Sequence, residues 1–451
     1  MDVLKSINPA DGTVVGEVRV TPPAEVGAIV ARARAAQPGW ADAGIEARAA
    51  LLRQVGERLR ERTDEIARLI CAEMGKPLHQ AAGEAGWVCK GIDGAIDEVV
   101  AALQPEVLTS ERTRTTVYRD PFGVAACISP WNFPVGMAAQ QVVPALLAGN
   151  TVVLKPSEEV PLVGQLYADA FLEVLPDGVM QVVHGADEQG KALVAADVDL
   201  IVFTGSRAAG KHILRAASAE LKRVILELGG KDPLIVLSGA DLDRAARFAA
   251  SNSFRNAGQV CVSTERIYVE ADIHDDFVDA LRGAAASMQV GVGTDPDTVV
   301  GPMVNQTQRD HVAAQVAEAV ADGARVVFES ESPGPNFHPL TILTDVRQEM
   351  GIIVEETFGP VAAVLAVSDA DQAVRMANDS PYGLGAVVFG PSERASAAAR
   401  RLNAGMIGVN QGISTAGSTP WVGARQSGYG FHSGVEGHRQ FAQVRLLSEA
   451  L

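Results

Sequence analysis

The sequence predicts an α/β protein built on two largely parallel sheets, and three observations carry that expectation. Short apolar, β-rich runs alternate with helical stretches, the alternation restarts after Gly229, and a wholly helical region precedes both series. Strand and helix alternating at this spacing close into parallel sheets covered on both faces, an architecture that binds nucleotides at the carboxyl ends of its strands. The 451 residues are too many for one hydrophobic core, and an apolar content of 47% can fill two or three.

In chain order, apolar positions from about residue 24 to 103 recur at helical spacing, as in "VGAIVARARAA" and "ARAALLRQVGERLRERTDEIARLICAEM". The alternation in "RTRTTVYRD" then predicts an exposed strand near 112–119. A first set of buried strands follows in "VAACIS", "TVVLKP", "MQVVHG", "LIVFTGS" and "RVILEL", with helices such as "PLVGQLYADAFLEVL" and "AAGKHILRAAS" between them. The second set is "PLIVL", "ERIYVE", "ARVVFE", "AAVLAV", "GAVVFG" and "MIGVN", separated by "ARFAASNSF", "AAQVAEAVADG" and "DQAVRMAND". No low-complexity linker parts the two sets, so they are expected to pack tightly with the site between them.

A formal charge of −17 opposes binding to nucleic acid or to an anionic bilayer, and no Lys/Arg-rich block offsets it locally. The start of the chain lacks a basic region followed by an apolar stretch, and no run reaches about 18 apolar residues. A cytoplasmic protein is expected. Cys71, Cys89, Cys127 and Cys261 are far apart, without Cys-x-x-Cys or Cys/His spacing. Neither a disulfide framework nor a metal site is expected, which leaves core cysteines or a nucleophile.

Two segments imitate a phosphate loop, "GADEQGKA" and "GSRAAGKH", but each lacks the Ser or Thr after Lys that holds magnesium. A P-loop ATPase is the different-class alternative they leave. A better nucleotide signal is "IVFTGSRAAG", where a strand breaks at Gly205-Ser206 and enters a helix. Free N–H groups and the Ser206 hydroxyl there can face a pyrophosphate, with Gly205 and Gly210 allowing close approach; a Ser N-cap on a structural helix is the other reading. In "VVLKPSEE", Lys155, Ser157 and Glu158 leave a strand end together, and the ammonium and carboxylate suit the vicinal hydroxyls of a ribose. A carboxylate beside the 2′-hydroxyl repels a 2′-phosphate, so NAD is expected over NADP, with NADP still possible.

Four further segments, "SPWNFP", "LELGGKDP", "GQVC" and "EETFGPV", occur in this order, and with them the chain resembles the aldehyde dehydrogenase superfamily from "INPADG" to "QSGYG". The resemblance implies a Rossmann-type nucleotide domain (1–103 and 122–228), a second α/β catalytic domain (229–434) and a small β oligomerisation arm (104–121 and 435–451). A homodimer or homotetramer is implied, because such protruding edges need a partner subunit. Cys261 looks like the family nucleophile, adding to an aldehyde carbon to give a thiohemiacetal and then, after hydride leaves for the nicotinamide, a thioester. Asn132 resembles the amide that donates to the oxyanion together with the Cys261 N–H. Glu227 matches the general base that activates water for hydrolysis, and burial beside apolar strand residues should raise its pKa toward working pH. Because relatives that deliver the acyl group to coenzyme A generally lack this glutamate, a free acid is expected; coenzyme A acylation is the nearest alternative. Glu356 is similar to the residue that holds the nicotinamide ribose, Phe358 to an aromatic near the nicotinamide, and Trp131 joins the cofactor-binding set.

The chain departs from the family pattern at "PWVGAR", with Trp421 and Val422 in place of Phe-Gly, and at Phe431 and His432. Within "FRNAGQ", Arg255 is placed as in succinate-semialdehyde dehydrogenases, where an arginine grips a substrate carboxylate. The second arginine of that subgroup is replaced by Gln140, and Thr415 stands where a hydroxyl donor is expected. The substrate is therefore expected to be a semialdehyde such as succinate semialdehyde, or a broader range of aldehydes, with Trp421 in the pocket wall.

Overall fold

The computed structural model describes residues 2–414 and 417–451, so Thr415 lies outside the described residues. The predicted helical region forms Pro23–Asp42, Ile45–Glu61, Thr63–Met74 and Leu78–Ala102. It is preceded by an antiparallel hairpin, Val3–Ile7 with Val14–Arg19, whose pairing the sequence did not announce.

A six-stranded sheet takes Val124–Ile128, Thr151–Lys155, Met180–Val182, Leu200–Gly205 and Arg223–Leu228 in parallel, and Gly428–Tyr429 pairs antiparallel with the last. Side chains alternate across it. Ala125, Cys127, Val152, Leu154, Leu200 and Val202 face Ile45–Glu61, Leu78–Ala102, Pro134–Leu147 and Pro161–Leu172 in one core. Val124, Ala126, Val153, Ile201 and Leu226 face Pro23–Asp42, Asp187–Ala195 and Arg207–Ser218 in another. Burial on both faces explains why these strands read as continuous apolar runs rather than alternating ones.

The chain runs from Val124–Ile128 outward through Thr151–Lys155 to Met180–Val182, then returns to the other side with Leu200–Gly205. Its order therefore reverses beside Val124–Ile128, and a crevice opens there at the carboxyl ends of the strands.

A seven-stranded sheet holds Arg325–Glu329, Thr341–Thr344, Val361–Val367, Thr264–Glu270, Asp232–Val236, Gly385–Phe389 and Met406–Val409 in that spatial order. All neighbours are parallel except the edge strand Arg325–Glu329. That strand is largely exposed, so its apolar run is a half-solvated edge and not a buried parallel strand. Glu106–Thr109, Thr113–Pro121 and Ala442–Ala450 form a separate three-stranded antiparallel sheet.

Both phosphate-loop imitations lie within or at the start of helices. "DEQGKA" is the body of Asp187–Ala195, and Gly210-Lys211 is the second turn of Arg207–Ser218, so neither lysine sits in a loop that could wrap a phosphate. No helix of the described residues is long and apolar enough to cross a membrane.

Candidate active site

Glu227 is the penultimate residue of Arg223–Leu228 and points into a cavity of about 260 Å³ lined by the six-stranded sheet on one side and, on the other, by the segments leading into strands Thr264–Glu270 and Val361–Val367 and by helix Gln306–Ala321. Cys261, Asn132, Glu356, Phe358 and Trp131 line the same cavity. Of the four free cysteines, Cys71, Cys89 and Cys127 are buried and Cys261 is half-buried.

The backbone carrying Cys261 is wound tightly. After helix Leu242–Phe254, Asn256 and Ala257 both take φ of 55°, in the left-handed region that costs a residue other than glycine about 1–3 kcal/mol. Gly258 continues at φ 71°, and a Cβ there would run into the Gly359 carbonyl, so only glycine lets the two segments approach. Hydrogen bonds hold the turn: Asn256 Nδ2 donates to the Gln259 carbonyl at 3.2 Å, Gln259 Nε2 returns a bond to Asn256, and Gln259 Oε1 accepts from Val304 N–H at 2.9 Å. Among the described residues the Cys261 N–H makes no hydrogen bond.

Asn132 sits in the 129–134 turn before helix Pro134–Leu147 and is buried. Its side-chain N–H donates to the Gln259 carbonyl at 3.1 Å, and the second N–H of the amide is left for another acceptor. A buried ion pair supports this turn. Lys76 Nζ reaches Glu84 at 2.5 Å and donates to the Asn132 carbonyl at 2.8 Å, while Glu84 Oε1 accepts from the N–H groups of Val135 and Gly136. Glu84 thereby places a negative charge on the start of the helix that follows Asn132.

The 355–360 segment is held the same way. Lys231 Nζ bonds Glu265 at 2.5 Å and Thr357 Oγ1 at 2.8 Å, and the Glu265 carboxylate accepts from the N–H groups of Thr357 and Phe358. Phe358 takes φ of 50° and packs edge-on to Trp131, ring centroids 5.4 Å apart. Glu356 accepts from Gly230 N–H at 3.0 Å, and its carboxylate occupies the space a Cβ on Gly229 would need.

Burial dominates the electrostatics. It pushes the Glu227 carboxyl up to about 7, opposed by hydrogen bonding from Cys261 and Trp421. Burial, then the charge of Glu265, push Glu356 up to about 8. The Cys261 thiol is raised well above its ordinary range by burial and next by the Glu227 carboxylate beside it. A thiol so placed keeps its proton until a neighbouring base takes it, and Glu227 is the adjacent candidate.

A second cavity opens at the carboxyl ends of Val124–Ile128, Thr151–Lys155 and Leu200–Gly205, sharing Pro130, Trp131, Thr204, Gly205 and Ser206 with the first. Lys155, Ser157 and Glu158 line it. Lys155 is buried, with the Pro156 carbonyl at 3.4 Å and the half-exposed Glu158 carboxylate at 3.6 Å. An ammonium and a carboxylate side by side at a reversal of strand order fit a dinucleotide ribose. The Ser206 Oγ accepts from Ala209 N–H at 3.2 Å and so caps its helix, while its residue still lines both cavities. Gly210 does not line this cavity; a Cβ there would meet Leu228, so the glycine lets the helix sit on strand Arg223–Leu228.

The sequence-predicted substrate residues are not gathered in one place. Arg255 and Trp421 line a cavity with Asn252 and Ile413, whereas Gln140 lines a different one beside Ser433, whose hydroxyl donates to it at 3.1 Å. Trp421 does more than form a wall: its indole Nε1–H donates to Glu227 Oε1 at 3.3 Å. Lys76, Glu84, Lys231 and Glu265 escaped the sequence reading. Glu84 carried a signal, since it shares the apolar face of its helix with Ala81, Ala85 and Val88.

Residues 2–447 match the model of the aldehyde dehydrogenase family. An NADP(+) succinate-semialdehyde dehydrogenase of Deinococcus radiodurans is 36% identical over 98% of this chain and 94% of its own length. A glutarate-semialdehyde dehydrogenase of Pseudomonas putida is 34% identical over 98% of this chain and 94% of its own. Among solved structures, lactaldehyde dehydrogenase from Escherichia coli superposes with a TM-score of 0.95 at 34% identity, covering 100% of this chain and 96% of that one. A match of this extent over both sheets leaves one assignment: the chain belongs to the aldehyde dehydrogenase family, a family of NAD(P)-dependent enzymes.

Proposed function

We propose that the protein oxidises a semialdehyde, a small aldehyde with a carboxylate at its far end, to the acid through a thioester on Cys261. The observation that carries this reading is that Cys261, Glu227 and Asn132 line one cavity whose wall is shared with the Lys155 and Glu158 cavity.

In this mechanism Glu227 takes the Cys261 proton and the thiolate adds to the aldehyde carbon. The oxyanion accepts hydrogen bonds from the free N–H of the Asn132 side chain and from the Cys261 N–H. NAD(P), when bound, supplies the hydride acceptor. Lys155 and Glu158 would hold its adenosine ribose and Glu356 its nicotinamide ribose, with Phe358 and Trp131 at the nicotinamide end. Once Glu227 has passed the thiol proton to solvent, it removes a proton from water as the water oxygen attacks the thioester carbon, and it hands this proton to the Cys261 sulfur as the acid leaves, restoring the thiol.

Arg255 gives the carboxylate of the substrate a cation, and relatives named for succinate and glutarate semialdehydes support that substrate class. Glu158 supports NAD over NADP by repulsion of a 2′-phosphate, although the Deinococcus relative is named for NADP(+). The three-stranded sheet supports assembly as a dimer or tetramer, and the domain division at about 228 follows the two large sheets. Initial rates with propanal, benzaldehyde and succinate semialdehyde, each with NAD and NADP, test the proposal. The highest kcat/KM is expected for succinate semialdehyde with NAD, and no rate is expected from Cys261→Ala. A free acid formed equally with and without coenzyme A supports hydrolysis; a coenzyme A ester overturns it.

A further inference from the structure

Trp421 occupies a position that fixes its indole against the base. Trp421–Val422 pairs antiparallel with Phe431–His432, and between these strands the chain makes Gly428–Tyr429, which pairs with the strand carrying Glu227, Gly428 directly opposite Glu227. The C-terminal segment is thus stitched to the end of Arg223–Leu228 at the residue whose carboxylate the indole reaches, at 3.3 Å. Trp421 has a donor and no acceptor, so the bond forms only to a carboxylate oxygen carrying a lone pair toward it. Trp421 also lines the Arg255 cavity.

We propose that Trp421 is a positioning residue for Glu227, holding one carboxylate oxygen by its N–H so that the other is presented to the Cys261 acyl group. The proposal rests on Glu227 being the base that hydrolyses the thioester. The titratable groups facing Glu227 are Cys261 and Glu356, from two other segments; Glu356 does not donate to it and the Cys261 S–H is gone once the sulfur carries the acyl group, so in the acyl-enzyme the indole is the remaining neutral donor that favours the ionised carboxylate. Removing that donor leaves burial unopposed by it, and the carboxyl should hold its proton to higher pH.

The test uses Trp421→Phe, which keeps a ring and removes the N–H. The probe is 4-nitrophenyl acetate, which acylates a reactive thiol without cofactor and separates acylation from hydrolysis. The 4-nitrophenolate burst of about one per subunit should survive, while acyl-enzyme hydrolysis near neutral pH should slow roughly ten-fold, the effect of one hydrogen bond to a charged group. The rising limb of hydrolysis against pH should move to higher pH, so that the deficit closes in alkali. In a Glu227→Gln background the same substitution should change nothing further. An unmoved limb, a lost burst, or an equal loss in the Glu227→Gln background overturns the proposal. Normal hydrolysis by Glu227→Gln alone overturns the role of Glu227 and the proposal with it, which separates the two failures.

Discussion

Glu227, as the proposed base, is the residue on which the pH behaviour should turn. With its carboxyl raised from an ordinary 4.5 to about 7, the base is half ionised near neutrality, so turnover limited by hydrolysis should rise as pH rises through about 7 and level off above it. Glu227→Gln should leave a burst of about one NADH per subunit and slow turnover by roughly 100-fold or more. The burst keeps its amplitude but forms more slowly, because water must take the Cys261 proton in place of Glu227, while loss of the carboxylate removes one of the groups raising that thiol. A burst formed at the native rate would show that another group takes the Cys261 proton and confine Glu227 to hydrolysis. The same residue carries a stability cost with a definite sign. A carboxyl that binds its proton more tightly folded than unfolded makes the native state lose stability as pH rises from about 4.5 through about 7. Glu227→Gln should therefore melt at a higher temperature than the native chain at pH 8, with the gap closing below about pH 4.5; equal melting at pH 8 would contradict the buried setting of the carboxylate.

At the scale of elements, the groups proposed to react are placed by short turns that buried ion pairs pin, and this is where sequence reading thins out. The strand holding Glu227, the turn holding Asn132 and the chain order of the four motifs were legible, because apolar runs and rigid Pro or Gly positions leave a local mark. The left-handed pair Asn256 and Ala257 was not legible, since neither residue type announces positive φ and only the surrounding hydrogen bonds enforce it. Lys76 and Glu84 were missed for a related reason: their value lies in contacts to the 132–136 backbone, some fifty positions away, that no local pattern encodes. Lys76→Met should leave Glu84 buried without its cation and cost about 3–5 kcal/mol of stability by urea denaturation. Because the Asn132 carbonyl loses its donor as well, the acylation rate should fall more than the hydrolysis rate. A variant as stable as the native chain would mean that the pair contributes nothing to holding the turn.

At the scale of the whole molecule, two large sheets enclose the site while the third, three-stranded sheet contributes nothing to it. The apolar content of that small sheet has no use inside one chain. Val444, Leu446 and Leu108 share a face by register, through Arg119, Val117 and Thr115, and are each about 60% exposed; Val107 and Leu447 are exposed on the opposite face. Apolar strands left open to water on both faces promote association unless another subunit covers them, and closed symmetry with a second copy is the ordinary solution. In sedimentation equilibrium the native chain should weigh two or four times its 47.2 kDa. Val444→Asp with Leu446→Asp places two carboxylates on that face, on a chain already at −17, and should return the species to one subunit mass. Since the three-stranded sheet supplies no residue to the cavity holding Cys261, the dissociated variant should keep its NADH burst even as its melting temperature falls. A native chain that sediments as a monomer, or a double variant that still assembles, would show that these strands are exposed for some other reason.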